Sequence, residues 1–245
     1  MFSNTSVILN ALSDEEIINK LNIYKFVGFQ VIFIEYNFDF NFEYRTHLNK
    51  IQKMTSLKLI GKIAFHPTSV SDLKNKLQKV QKYKDFAISI ISKNKDILTF
   101  AAKDSRVDII SFTRIENIKN LTPGLISLLK QFNKFFEISI IDVLNTYYNN
   151  RSRVFREIYK ILNLVHNNME ILLFGGSEDE NFHIRGPREI ISIFHSIFNL
   201  NIAKAKRMVR ENPSQLIERL ISRNNRNKLQ SGVEIVSRIK KEEKG

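Results

Sequence analysis

The stretch EILLFGGSEDENFHIRGPREIISIFHSIFNLNIAKAKRMVRENPSQLIERL, Glu170 to Leu220, carries the pattern that organises the chain. Ile171 to Phe174 reads as a short apolar strand, and it runs directly into Gly175-Gly176. The stretch holds three of the eight glycines (Gly175, Gly176, Gly186) and two of the four prolines (Pro187, Pro213). Residues this scarce belong where the backbone needs a tight turn or a fixed φ. Arg185 and Arg188 flank the Gly186-Pro187 step, and a basic run follows at 204–210. Strand, glycine turn and basic helix start form one β–α unit whose loop suits an anion.

Upstream the same unit recurs. Strands are predicted at Val7–Leu9, Phe29–Tyr36, Leu57–Phe65, Phe86–Ile91, Val107–Phe112 and Phe136–Ile141. Ser13-x-x-Glu16 is a capping box that opens a helix running to about Phe26, where Gly28 ends it. A second helix falls between Phe42 and Met54, and Ser71-Asp72 caps a third with Leu73, Leu77 and Val80 on one face. A short helix covers Ile97 to Ala102, and Thr122-Pro123 starts another. From Arg151 to His166, Val154, Ile158, Ile161, Leu162 and Val165 line one face while Arg153, Arg156 and Lys160 line the other. Helices at Pro187–Phe198, Ile202–Glu211 and Pro213–Arg223 complete the pattern, with Asn201 and Asn212 as N-caps of the last two.

Strands separated by helices, with no polar face along the strands, point to a parallel sheet covered by helices. The expected fold is α/β, a TIM-like (β/α) barrel of seven clear parallel strands and an irregular eighth, with outer helices and extra C-terminal ones. It is expected to occupy 1–223 as one domain, followed by a basic, frayed tail over 224–245. A doubly wound open sheet is the alternative, because pattern alone does not establish closure.

The net charge is +13 and 43% of the residues are hydrophobic, enough for a full core. Residues 203–245 alone hold twelve Lys or Arg against five Glu. Such an excess suits nucleic acid, an anionic membrane surface or an acidic protein, against a background of Lys, Asn and Ile usage typical of AT-rich genomes. There are no cysteines, which excludes disulfides and thiolate-bound zinc. The N-terminus turns acidic at once and no apolar run reaches membrane-spanning length, so a cytoplasmic chain without a membrane anchor is expected.

In such barrels chemistry sits in the loops after the strands. Those ends offer Glu35, His66, Ser92, Thr113, Arg114, Asp142 and the segment from Gly175 to His183. A free-standing metal-dependent hydrolase or phosphatase could be drawn from Glu35, His66, Asp142 and His183, though no His-x-His or HExxH is present. Gly175-Gly176-Ser177 could cradle a phosphate or simply turn the chain. The basic residues are more informative: Lys206 and Arg210 share one helix face, Lys204 and Arg207 the next, and Arg153, Arg156 and Lys160 form a second stripe. Stripes of this kind neutralise phosphate backbones.

Several motifs appear in order: VDIISF (Val107–Phe112), TPGL (Thr122–Leu125), FEIS (Phe136–Ser139), RSRVFREI (Arg151–Ile158), RGPREII (Arg185–Ile191) and NPSQLIERL (Asn212–Leu220). The ordered set resembles the archaeal and eukaryotic ribonuclease P protein component 3 family. Gly175-Gly176-Ser177 and Gly186 replace other small residues usual there. The resemblance implies a barrel related to polymerase-and-histidinol-phosphatase domains, without their His-x-His motif. It implies a protein subunit that assists a catalytic RNA in removing the 5′ leader from precursor tRNA. The expected partners are the ribonuclease P RNA, a small ferredoxin-like subunit and other ribonuclease P proteins, with precursor tRNA in the holoenzyme. Mg²⁺ would accompany the RNA, and the protein would carry no metal and no catalytic residue. Candidate RNA-binding residues are Arg185 and Arg188, then Arg106, Arg151, Arg153, Arg156, Lys204, Lys206, Arg207 and Arg210.

Overall fold

A computed structural model describes the chain except residues 10, 11, 40, 113–119, 166, 167, 177–180, 225–227, 231, 232 and 235–245, and except the side chains of 149, 169, 228–230, 233 and 234. Thr113, Arg114, His166, Ser177 and most of the 224–245 tail lie outside the described residues.

Seven parallel strands run in sequence order: β1 (Ser3–Ile8), β2 (Val31–Asn37), β3 (Lys58–Phe65), β4 (Ala87–Ile90), β5 (Ile109–Phe112), β6 (Phe135–Ile138) and β7 (Leu172–Phe174). Each strand pairs with its predecessor, so the sheet winds in one direction, and β7 comes back against β1. A doubly wound sheet would reverse its order midway; this one is a nearly closed barrel. No eighth barrel strand occurs among the described residues. The last two strands, β8 (Lys228–Gln230) and β9 (Val233–Glu234), form a separate antiparallel pair.

Around the barrel lie α1 (Asp14–Phe26), α2 (Tyr44–Gln52), α3 (Val70–Lys79), α4 (Lys95–Lys103), α5 (Pro123–Gln131), α6 (Ile141–Asn145), α7 (Tyr148–Val165), α8 (Pro187–Ser196), α9 (Ile202–Val209) and α10 (Glu211–Asn224). The capping box at Ser13 and Glu16 and the Thr122 cap form as expected. Three local expectations change. Ser69, not Ser71, caps α3, because its hydroxyl accepts from Asp72 N. Asn212 is no cap: it lies inside α10, buried, and donates Nδ2 to Leu172 O at 2.6 Å. The predicted strand ending at Ile141 stops at Ile138, and Ile141 instead begins the short helix α6.

The strands alternate after all, but with two kinds of interior. Side chains two apart share a face. Outward residues such as Ile32, Ile34, Ile63, Ile110 and Phe174 join the helices in the main core. Inward, Val31, Phe33, Ala87, Ile109, Phe135 and Leu173 form a second apolar cluster, sealed by Leu216, Ile217 and Leu220 of α10. Two residues further along the same inward faces stand Glu35, Ser89, Ser111, Glu137 and Gly175, all toward the C-terminal end. The barrel has an apolar floor and a polar upper layer.

Candidate functional site

The upper layer is built around one lysine. Lys62, two residues beyond Ile60 on β3, is fully buried, with Nζ 2.6 Å from Glu137 Oε2 and 2.7 Å from Glu35 Oε2. Ser111 Oγ donates to Glu137 Oε2 at 2.8 Å, and Ser6 Oγ donates to Glu35 Oε2 at 2.7 Å. The Thr5 hydroxyl lies 2.5 Å from Glu137 Oε1 and 2.9 Å from Phe174 O. A register shift in β1 between Asn4 and Val7 sets both Thr5 and Ser6 against Phe33 of β2. That bulge lets two consecutive side chains reach inward, which regular alternation forbids.

Burial pushes the Glu35 carboxyl up, but Lys62 and the Ser6 hydroxyl outweigh it, with a smaller pull from His66, and hold it below the ordinary value. Burial likewise opposes charge on Lys62, yet Glu137 and Glu35 together raise its pKa above the lysine norm. The sign for stability follows from linkage. Glu35's contribution is complete above the ordinary carboxylate value and lost as pH falls through the lowered one. Lys62's is complete below the ordinary lysine value and lost as pH rises through the raised one. Thermal melts should therefore show this network contributing evenly between about pH 4.5 and 10 and weakening outside that window. A Lys62-dependent loss of stability near neutral pH would contradict this.

The Gly175-Gly176 turn belongs to the same construction. A Cβ on Gly175 would stand 2.7 Å from Glu137 Cδ, so only glycine leaves room for that carboxylate. Gly175 N donates to Ile138 O at 2.9 Å, Gly176 N to Asn4 Oδ1 at 2.8 Å, and Ser139 Oγ donates to Gly176 O at 2.7 Å. Both turn amides are engaged within the protein, so the phosphate-cradle reading of this turn is not supported. With Thr5, these bonds also stitch β7 to β1 through side chains, and no β7–β1 backbone ladder occurs among the described residues.

Chemically, a fully buried Lys held between two carboxylates is a strut and not a poised base or nucleophile. It occupies the space a cation would need between Glu35 and Glu137. Among the described residues no three His, Cys, Asp or Glu side chains are grouped to hold a metal ion. Glu35, His66, Asp142 and His183 are not brought together as a ligand set.

The basic candidates fall on different parts of the surface. Arg185 and Arg188 follow β7 at the C-terminal end of the barrel, flanking the start of α8. A Cβ on Gly186 would meet Val27 O at 2.6 Å, so the chain passes too close for a side chain. Glu189 Oε2 accepts Gly186 N at 2.8 Å and places a carboxylate of the protein itself at this helix start. Arg185 donates Nη1 to Phe182 O at 2.7 Å and to Ile184 O at 3.1 Å, while Arg188 is exposed. Arg151, at the start of α7 on the same end, donates Nε to Thr146 O; Arg153 and Arg156 are exposed along α7. Arg106 lies ahead of β5, at the opposite end, in a two-bond pair with Asp104 at 2.9 and 2.7 Å. Lys204 is half-buried on α9, and Lys206, Arg207 and Arg210 are exposed, with Arg207 paired to Glu211 at 3.0 Å. Because α9 packs on α8, β7 and the turn before β7, its charges sit about 15 Å, the length of α8, from Arg185 and Arg188 along the helix direction. Sequence reasoning named Glu35 but missed Lys62 and Glu137; apolar-x-charged endings in Ile60-x-Lys62 and Phe135-x-Glu137 were the available sign.

No curated protein matches the chain in sequence. In three dimensions it is similar to a chain in the cryo-EM structure of archaeal ribonuclease P with mature tRNA, at TM-score 0.78 and 17% identity, covering 94% of this chain and 97% of that one. It is also similar to the phosphotriesterase homology protein from Escherichia coli, at TM-score 0.57 and 10% identity, covering 87% and 97%. These identities speak to the fold, a helix-covered barrel in both cases. The sequence itself matches the RNase P subunit p30 family over residues 1–225, nearly its whole length, and the chain belongs to that family.

Proposed function

We propose that this ribonuclease P subunit works as an RNA-binding scaffold, in the cytoplasm, and leaves the cleavage chemistry to an RNA with its own Mg²⁺. On this reading it binds the ribonuclease P RNA beside a small ferredoxin-like subunit and other ribonuclease P proteins, and the assembled particle removes the 5′ leader from precursor tRNA. The observation that carries the proposal is the contrast at the C-terminal end of the barrel. Its centre is closed by Glu35, Lys62 and Glu137, while Arg188, Arg153 and Arg156 are exposed at or leading from that end. Family membership supports the holoenzyme role. Among the described residues no helix is long and apolar enough to cross a membrane. The free-standing metallohydrolase reading lacks a convergent ligand set and is not favoured.

Reconstitution tests the role. Adding this chain to the ribonuclease P RNA and its partner proteins should raise precursor-tRNA cleavage, and cleavage indifferent to the chain at every Mg²⁺ concentration would refute it. Arg185→Ala with Arg188→Ala should weaken binding to the ribonuclease P RNA. It should also flatten the log–log salt slope by roughly 1–2, one ion released per phosphate lost. Filter binding over a salt series measures both, and an unchanged slope would rule out direct phosphate contact by this pair.

A further inference from the structure

Three of the four most exposed aromatic rings among the described residues, Tyr148 at 91% and Tyr147 and Phe182 at 70% each, lie in loops at the C-terminal end of the barrel. Isolated exposed apolar residues need no explanation, but Tyr147 and Tyr148 are set in a built surround. The Arg151 guanidinium lies 5.7 Å from the centre of the Tyr147 ring, and its Nε donates to Thr146 O at 2.7 Å. Thr146 Oγ1 donates in turn to Asp142 O at 2.6 Å, tying the segment back to α6. Asn145, Thr146, Tyr147, Tyr148 and Asn150 line an open groove of about 410 Å³. Tyr148 has φ of 49°, a left-handed conformation that is unusual for a bulky side chain. The chain thus keeps a large ring in solvent at a position where asparagine or glycine would fit the backbone better.

We propose that Tyr147 and Tyr148, with Arg151, form a stacking site for unpaired bases of RNA. Aromatic faces take up splayed-out bases, a guanidinium adds a second planar surface, and the amides of Asn145 and Asn150 can meet base edges. Arg153 and Arg156, exposed on the next turn of α7, suit the phosphates of the same strand. A protein-docking face would call for a contiguous apolar surface, whereas the neighbours here are Asn145, Asn150, Arg151 and Arg153. The proposal rests on the RNA-binding reading above and adds that part of the contact is to bases in single-stranded segments.

The test uses the full chain and fluorescein-labelled oligoadenylate, either single-stranded or annealed to oligouridylate, with anisotropy read at low salt. Tyr147→Ala combined with Tyr148→Asn removes both rings, and asparagine suits the left-handed backbone, so folding is spared. Single-strand affinity should fall roughly ten-fold or more, with duplex affinity unchanged, and Tyr148→Phe should bind like the wild type. A double variant that keeps wild-type affinity for the single strand, or that loses both probes equally, overturns the stacking site. So does a variant that keeps the single strand but no longer captures another ribonuclease P protein, since the rings would then be a protein contact. A wild-type chain that binds neither probe nor the ribonuclease P RNA would refute the RNA-binding reading itself, a result distinct from these.

Discussion

Lys62→Ala is expected to cost about 3–5 kcal/mol of folding stability, because it leaves two buried carboxylates facing each other without their cation. Lys62 and Glu137 are fully buried and Glu35 nearly so. Removing the ammonium strips the 2.6 and 2.7 Å contacts and leaves mutual repulsion in a low-dielectric interior. Either the barrel loosens or at least one carboxyl takes up a proton, and both appear as lost stability near neutral pH. Urea denaturation measures the loss. If the single variant does not fold, the combination Lys62→Met, Glu35→Gln and Glu137→Gln restores a testable state. It removes all three charges at similar volume and should recover most of the stability. A Lys62→Ala protein within about 1 kcal/mol of wild type would show that the triad is not the strut described here.

Much of the frame could be read from the chain because helix periodicity, caps and apolar strands are local properties. The Ser13–Glu16 box, the Thr122-Pro123 start and the seven strand positions depend on residues close together in sequence. The start of β1 did not, and the reason is physical. Ser3 to Ser6 is polar and reads as coil, yet it is buried because its side chains bond across the barrel to Glu137, Glu35 and Gly176, residues far away in sequence. Lys62 was hidden for the same reason. A lysine in an apolar run reads as an exposed position until its two carboxylates are known to converge on it.

The basic surface shows the opposite limit. Charge spacing along α7 and α9 located the stripes, but spacing cannot tell which cations the fold has already engaged. Arg106 is committed to Asp104 at the far end of the barrel, and Arg207 to Glu211. Tyr147 and Tyr148 passed unnoticed because two adjacent tyrosines before a helix read equally well as core. Only their exposure separates the two readings.

Leu216→Ala in α10 is expected to destabilise the barrel by about 2–5 kcal/mol, the range for a buried leucine whose cavity cannot fully collapse. The sequence predicted this helix without giving its task, which is to close the floor. Leu216, Ile217 and Leu220 cover the inward ring of Val31, Phe33, Ala87, Ile109, Phe135 and Leu173, drawn from five strands. The helix is fixed in place by polar contacts at both ends. Asn212 donates to Leu172 O near its start, and Arg223 near its end donates to Phe86 O at 2.6 Å and to both oxygens of Asp108 at 3.2 Å. Between them the Arg219 guanidinium lies 4.8 Å from the Phe135 ring centre. Anchored this way, the backbone cannot slide to fill a methyl-sized hole, so the cost should sit well above that of a surface change. Ile221→Ala, one residue beyond Leu220 but 59% exposed, is the matched control and should stay within about 0.5 kcal/mol of wild type. Equal losses in the two variants, measured by urea unfolding, would mean that α10 lies against the barrel without plugging it.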